Sequence, residues 1–224
     1  MLLWLLLACT NQTTESNSST ATEAITQPVL VERPRVIVLG DSLTAGLGIS
    51  AELNYPSLLQ ETFSQQGQPI EIINAGVSGD TTAGGLRRLD WLLKQDPDLL
   101  VVELGANDGM RGVPIDNVKE NLATIIERIQ ERQIDVLLVG MQIPTNYGRE
   151  YTQRFKEMYP ELAKKYQIAM VPFLLEGVAG ERELNQADGI HPTANGHRII
   201  AKTVFPFLQQ WRDSWSQTNP NPDL

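Results

Sequence analysis

What most limits the folds open to this chain is a recurrence. Short, mostly apolar runs rich in Val, Ile and Leu, three of them followed at once by a glycine-bearing loop, are separated by helical patterns. The runs are Val36 to Leu39, Ile70 to Ala75, Leu99 to Leu104 and Val136 to Met141, with a shorter one at Ala169 to Val171. Each has the length of a strand and none alternates polar with apolar, so both faces of these strands are expected to be covered. Between them, Pro56 opens a stretch with Leu58, Leu59 and Phe63 at helical spacing, stopped by Gly67 and Pro69. Thr81 or Thr82 can cap a second helix carrying Leu86, Leu89, Leu92 and Leu93. After Pro114, Val118, Leu122, Ile125, Ile126 and Ile129 trace a stripe at i, i+4, i+7, i+8 and i+11. A further helix through about Lys165 precedes the short run, and Pro172 to Gly189 reads as a loop with a little helix. Pro192 or Thr193 starts the last helix, which is expected to turn Ile199, Ile200, Val204, Phe207, Leu208 and Trp211 inward. Strands alternating with helices in this way predict a parallel sheet between two helical layers. With right-handed crossovers, the expected architecture is a flavodoxin-like three-layer α/β/α sandwich of five parallel strands in the order 2-1-3-4-5.

Composition narrows the function. The 224 residues are 42% hydrophobic, enough for one globular domain with sequence to spare. A net charge of −9 without Lys/Arg clusters argues against nucleic-acid binding. Cys9 is the only cysteine, and His191 and His197 are the only histidines. An intrachain disulfide, a cysteine-based metal site and a multi-histidine centre are all excluded, and no cofactor is expected. Any histidine-dependent chemistry falls to one of two residues.

The N-terminal run Leu2 to Ala8 is too short to span a bilayer and leads straight into Cys9. It resembles the end of a bacterial lipoprotein signal, with Leu6-Leu7-Ala8-Cys9 as lipobox, although no Lys or Arg precedes the run. An ordinary secretory signal and a greasy tail on a cytosolic protein are the alternatives. Thr10 to Pro28 is rich in Ser, Thr, Asn and Gln and has the composition of a flexible tether. The expected organisation is therefore a signal over residues 1–8, cleaved before Cys9, and a disordered tether over 9–33. A globular domain over 34–214 and a frayed tail over 215–224 follow. The expected location is the periplasm or cell envelope, with lipid anchoring at Cys9. Nothing sets an oligomeric state, and a monomer is the default.

The first strand runs into Gly40-Asp41-Ser42-Leu43, placing Ser42 at the carboxyl end of a strand, where open α/β sheets bind ligands. A serine after Asp at a strand end also serves as an ordinary helix start. In the strand order above, however, the loops beginning at Gly40, Gly76 and Gly105 open side by side. Acyl transfer from a serine needs a base, a group that orients the base, and donors aimed at the developing oxyanion. In Asp188-Gly189-Ile190-His191, a turn through Gly189 lets the carboxylate reach the ring nitrogen that faces away from the serine. The main-chain N–H groups of Ser42 and Gly79 and the side-chain amide of Asn107 form a candidate oxyanion hole. Asn107 could equally be an asparagine in a turn. His197, on the polar side of the last helix, is expected at the surface, and Asp41 and Asp108 are expected to be structural. The residue two after Ser42 is Thr44, so the Gly-x-Ser-x-Gly elbow of α/β-hydrolases is absent.

Four blocks carry a resemblance: Gly40-Asp41-Ser42-Leu43, Ser78-Gly79-Asp80-Thr81, Gly105-x-Asn107-Asp108 and Asp188-x-x-His191-Pro192. In this order they resemble the SGNH, or GDSL, hydrolase superfamily over roughly Arg35 to Leu208. The segments Gly105 to Gly112 and Met141 to Gly148, followed by Tyr151 and Phe155, look most like the bacterial periplasmic multifunctional esterases. The resemblance implies the SGNH hydrolase fold and arylesterase, thioesterase or lysophospholipase activity. The roles it implies are Ser42 as nucleophile, His191 as base and Asp188 as its orienter, with Ser42, Gly79 and Asn107 as oxyanion donors. The expected partner is a small-molecule acyl ester or thioester. The alternatives are a carbohydrate acetyl esterase and, from a different class, a non-catalytic lipoprotein that binds lipid or glycan.

Overall fold

The computed structural model describes residues 33–219, so the expected signal, Cys9 and nearly all of the tether lie outside the described residues. Five strands, β1 (Arg35–Gly40), β2 (Glu71–Gly76), β3 (Leu99–Glu103), β4 (Asp135–Val139) and β5 (Ala169–Val171), form one sheet. All pairs are parallel and the order is β2-β1-β3-β4-β5, as the sequence pattern predicts. The apolar stretches of the central strands are covered by helices on both faces: Val36, Ile37, Val38 and Leu39 of β1 and Leu99 to Val102 of β3 are all buried.

The connecting helices are α1 (Ser42–Ala45), α2 (Tyr55–Gln65), α3 (Thr82–Leu93), α4 (Ala106–Met110), α5 (Ile115–Gln130), α6 (Arg149–Tyr166) and α7 (Ala194–Thr218). Their starts follow from local side chains. Asn54 accepts from Ser57 N–H at the head of α2, Thr81 from Gly84 N–H at α3, and Thr193 from Gly196 N–H at α7. On α5 the entire predicted stripe, Val118, Leu122, Ile125, Ile126 and Ile129, is buried. The last helix runs on to Thr218, so residues 215–218, expected in a frayed tail, are helical.

Register places the site. Gly40 at the end of β1 stands beside Gly76 of β2 on one side and Glu103 of β3 on the other. Three loops therefore leave the sheet together at its carboxyl edge. Gly40 has no alternative there: a Cβ would come within 2.0 Å of Thr44 Oγ1 and 2.6 Å of Glu103 Oε2.

Candidate active site

Ser42 is the first residue of α1, with Asp41 as its N-cap. Its N–H occupies a helix-initial position that has no intrahelical acceptor, and so is free to serve a ligand. Asp41 is buried and fixes the turn from within: Oδ1 accepts from Leu43 N–H at 2.9 Å, and Oδ2 accepts from the Asn107 amide at 3.0 Å. The expected structural role of Asp41 thus extends across to a second loop. Asn107 lies in the first turn of α4 rather than in a left-handed turn. Its amide nitrogen carries two hydrogens; Asp41 takes one, which orients the other independently of any ligand.

Gly79 sits in the tight turn Val77–Asp80, closed by the Asp80 N–H to Val77 carbonyl bond at 3.0 Å. Its φ of +80° belongs to the left-handed region that glycine tolerates. Arg111 donates to the Gly79 carbonyl at 3.0 Å and so steadies this peptide from the neighbouring loop. Asp108 accepts from the N–H and the hydroxyl of Thr82, tying α4 to the start of α3.

The segment of poor pattern after β5 folds into a series of turns and a short 3-10 helix, Arg182–Leu184. Asn185 pins it by donating to the Val178 and Glu181 carbonyls. The chain then forms a tight loop. Gln186 N–H meets the His191 carbonyl at 2.7 Å, Gly189 N–H meets the Gln186 carbonyl at 2.9 Å, and Asn185 bridges to Pro192. Gln186 also donates to the Leu47 carbonyl at 2.7 Å, joining this loop to the one that follows Ser42.

At its tip, Asp188 Oδ1 accepts the N–H groups of Ile190 and His191, and Oδ2 lies 2.7 Å from His191 Nδ1. These three donors, the imidazole foremost, hold the Asp188 carboxyl well below the usual carboxylate range. The ionised carboxylate keeps the ring proton on Nδ1, leaving the Nε2 lone pair toward Ser42 Oγ, 2.9 Å away. The structure thus brings Ser42, Asp188 and His191 into one hydrogen-bonded line, with Asn107 linked to the same turn through Asp41.

His197 departs from expectation. It is 1% exposed, because α7 packs on α2, and its Nδ1 accepts the Tyr55 N–H at 3.2 Å. Burial pushes its pKa down to about 4. The sequence reading also passed over Glu103. This residue is fully buried at the end of β3, where Oε2 accepts from Asp41 N–H at 3.3 Å and from the Thr44 hydroxyl at 2.7 Å. The signal available in sequence was a lone carboxylate inside the otherwise apolar run LLVVEL.

Comparison with known proteins agrees with this architecture. Residues 38–199 match the model of the GDSL-like Lipase/Acylhydrolase family. The arylesterase of Vibrio mimicus is 42% identical over 171 residues, covering 76% of this chain and 86% of the relative. The thioesterase 1/protease 1/lysophospholipase L1 of Escherichia coli K12 is 38% identical over 175 residues, covering 78% and 83%. Among solved structures, the psychrotrophic esterase EstA from Pseudoalteromonas sp., inhibited by monoethylphosphonate, superposes with a TM-score of 0.77 at 32% identity, covering 80% of this chain and 98% of that one. With the family's motif order spread over most of the chain and the same sheet beneath it, the chain belongs to the GDSL-like lipase/acylhydrolase family and is a carboxylic ester hydrolase.

Proposed function

We propose that this hydrolase works through an acyl-enzyme on Ser42, with His191 as general base and acid and Asp188 as the group that orients and stabilises the imidazolium. The observation that carries the reading is the line from Ser42 Oγ to His191 Nε2 at 2.9 Å and from His191 Nδ1 to Asp188 Oδ2 at 2.7 Å. Ser42 Oγ attacks the acyl carbonyl as its proton passes to Nε2. The oxyanion that forms is met by the N–H groups of Ser42 and Gly79 and the free amide hydrogen of Asn107. His191 then gives the proton to the departing alkoxide or thiolate. Water repeats the sequence in reverse and releases the acid.

The substrate range we assign is esters and thioesters with an apolar acyl group, spanning aryl esters, acyl thioesters and lysophospholipids. The activities in the relatives' names support this range, as do the exposed Leu47, Val77 and Ile190 on the loops around Ser42. We also propose that the protein works in the cell envelope, with residues 1–8 as signal, 9–33 as tether and Cys9 as the lipidated residue, on the strength of the lipobox-like Leu6-Leu7-Ala8-Cys9. Mass spectrometry of the mature N-terminus tests the anchor.

The mechanism is tested by Ser42→Ala assayed on p-nitrophenyl butyrate, together with labelling of the parent by a fluorophosphonate. A folded variant whose activity falls by at least about 10⁴-fold, and a label confined to Ser42 in the parent, are expected. Full retained activity in the variant would overturn the assignment.

A further inference from the structure

Beneath the nucleophile turn two carboxyl groups are buried together, and no part of the acyl-enzyme cycle uses the deeper one. Glu103 is fully buried and Asp41 is 1% exposed. Asp41 has a donor on each oxygen, Leu43 N–H on Oδ1 and the Asn107 amide on Oδ2. Glu103 is differently placed. Its Oε2 accepts from Asp41 N–H and the Thr44 hydroxyl, while its Oε1 is buried without any partner.

A carboxylate oxygen left in a low-dielectric interior without a donor is costly, and two adjacent buried charges are costlier still. The geometry points to Glu103 as a positioning residue that stays protonated on Oε1, holds the nucleophile turn through Oε2, and leaves the pair's single negative charge on Asp41.

The surrounding groups fit this assignment. Thr44 spends its only hydroxyl hydrogen on Glu103, so Tyr55 of α2, whose oxygen lies 2.8 Å from Thr44 Oγ1, donates to Thr44. The network is a one-way relay from Tyr55 to Thr44 to Glu103 that needs an acceptor at Oε2; a proton on Oε1 leaves a neutral hydroxyl without an acceptor, which costs less than an unpartnered carboxylate oxygen. From α6, Tyr159 donates to the Leu104 carbonyl at 2.9 Å and brings no positive charge. Asp108 of α4 is occupied by Thr82. Arg88 of α3 is paired with Asp80 and reaches the Gly40 carbonyl, and it bonds neither carboxyl. Among the described residues neither Asp41 nor Glu103 forms an ion pair. Burial drives both carboxyls upward, and the Asp41 charge drives Glu103 further. Leu43 N–H, the positive charge that forms on His191, and the Asn107 amide pull Asp41 back.

The consequence is a division of labour. The neutral acid fixes the backbone that carries Ser42, while the charge it excludes from its own site sits where it favours the imidazolium of His191 and grips Asn107. The kinetic part of this inference rests on the Ser42–His191 mechanism proposed above; the protonation state of Glu103 does not.

Two measurements test it. In infrared difference spectroscopy at pH 7, the wild type should show the C=O stretch of a protonated, dry carboxylic acid that Glu103→Gln lacks. Absence of any difference between the two overturns the assignment, whatever Ser42 proves to do. In kinetics, Glu103→Leu should lower kcat by at least about tenfold with KM little changed, and Glu103→Gln, a neutral isostere, should restore it. The acid limb of kcat/KM should stay in place in Glu103→Gln, but move down by about one pH unit in Asp41→Asn, where the imidazolium loses a negative neighbour. An equal displacement in Glu103→Gln means that Glu103 carries charge, and full kcat in Glu103→Leu means that it positions nothing. Should Glu103→Leu fail to fold, the Glu103→Gln spectrum and pH profile decide the matter alone.

Discussion

At the scale of single residues, the site is a set of short polar side chains each held by at least one partner besides its substrate. Asn107 shows why this matters. Its amide could rotate freely in a bare loop, but the Asp41 carboxylate captures one hydrogen at 3.0 Å and leaves the other aimed. If Asn107 is the oxyanion donor proposed above, Asn107→Ala should lower kcat on p-nitrophenyl butyrate by about 10²- to 10³-fold, the loss expected for one preorganised donor, with KM nearly unchanged. Asp188→Asn should cost on the order of 10⁴-fold in kcat, because the amide cannot hold the Nδ1–H tautomer. Steady-state kinetics on both variants check these figures. Ser42, Asp188, His191, Gly79 and Asn107 could all be singled out from the sequence because serine, histidine and their donors stand in short local blocks. Glu103 stands out only as a lone carboxylate in an apolar run; its role was not legible, because it depends on facing Gly40 across the sheet, 63 residues away in sequence, and on a cluster with Thr44 and Tyr55 that no local pattern encodes.

At the scale of elements, α7 does more than close the fold. His197 was expected in solvent because it lies on the helix face with few apolar neighbours. It is instead covered by α2, and its Nδ1 takes an N–H from the first turn of that helix. Only a neutral imidazole can accept there, and the positive end of α2 further opposes protonation. A histidine whose pKa is lowered on folding, from 6.5 to about 4, binds fewer protons in the folded state than in the unfolded one across that interval. Its contribution is complete above about pH 6.5 and is lost as pH falls toward about 4. Thermal melts of the wild type and His197→Asn should therefore differ most near neutral pH and converge between about pH 6.5 and 4. A constant gap would show that His197 does not titrate in that window. The loop after β5 gives the complementary lesson. Its sequence has no periodicity because its form depends on Asn185, Gln186 and the bridge to Pro192. Those contacts, not propensity, deliver His191 to Ser42.

At the scale of the whole molecule, the parallel order β2-β1-β3-β4-β5 gathers the functional loops at one edge of the sheet. The same gathering concentrates apolar surface. Among the described residues the large exposed apolar side chains are Leu47, Val77, Trp91, Tyr147 and Ile190, and all but Trp91 stand on loops at this edge. If these side chains receive the acyl group, kcat/KM should rise by up to about fourfold per added methylene until the rim is covered, since each buried methylene contributes about 0.8 kcal/mol. A p-nitrophenyl ester series from acetyl to palmitoyl measures this slope, and Leu47→Ser with Ile190→Ser should flatten it without changing hydrolysis of the acetate. A slope unchanged in the double variant would place the chain elsewhere. The sequence by itself determined the layered α/β fold, the strand order and the chemical type of the site. These follow from hydrophobic periodicity and from residues that lie close together in the chain. Only the tertiary structure decided that His197 is a buried acceptor, that Asp41 orients Asn107 and that Glu103 lies beneath the nucleophile turn. Each of these depends on distant segments meeting in an interior where an unpartnered polar atom is expensive, and that cost exists only once the chain has folded.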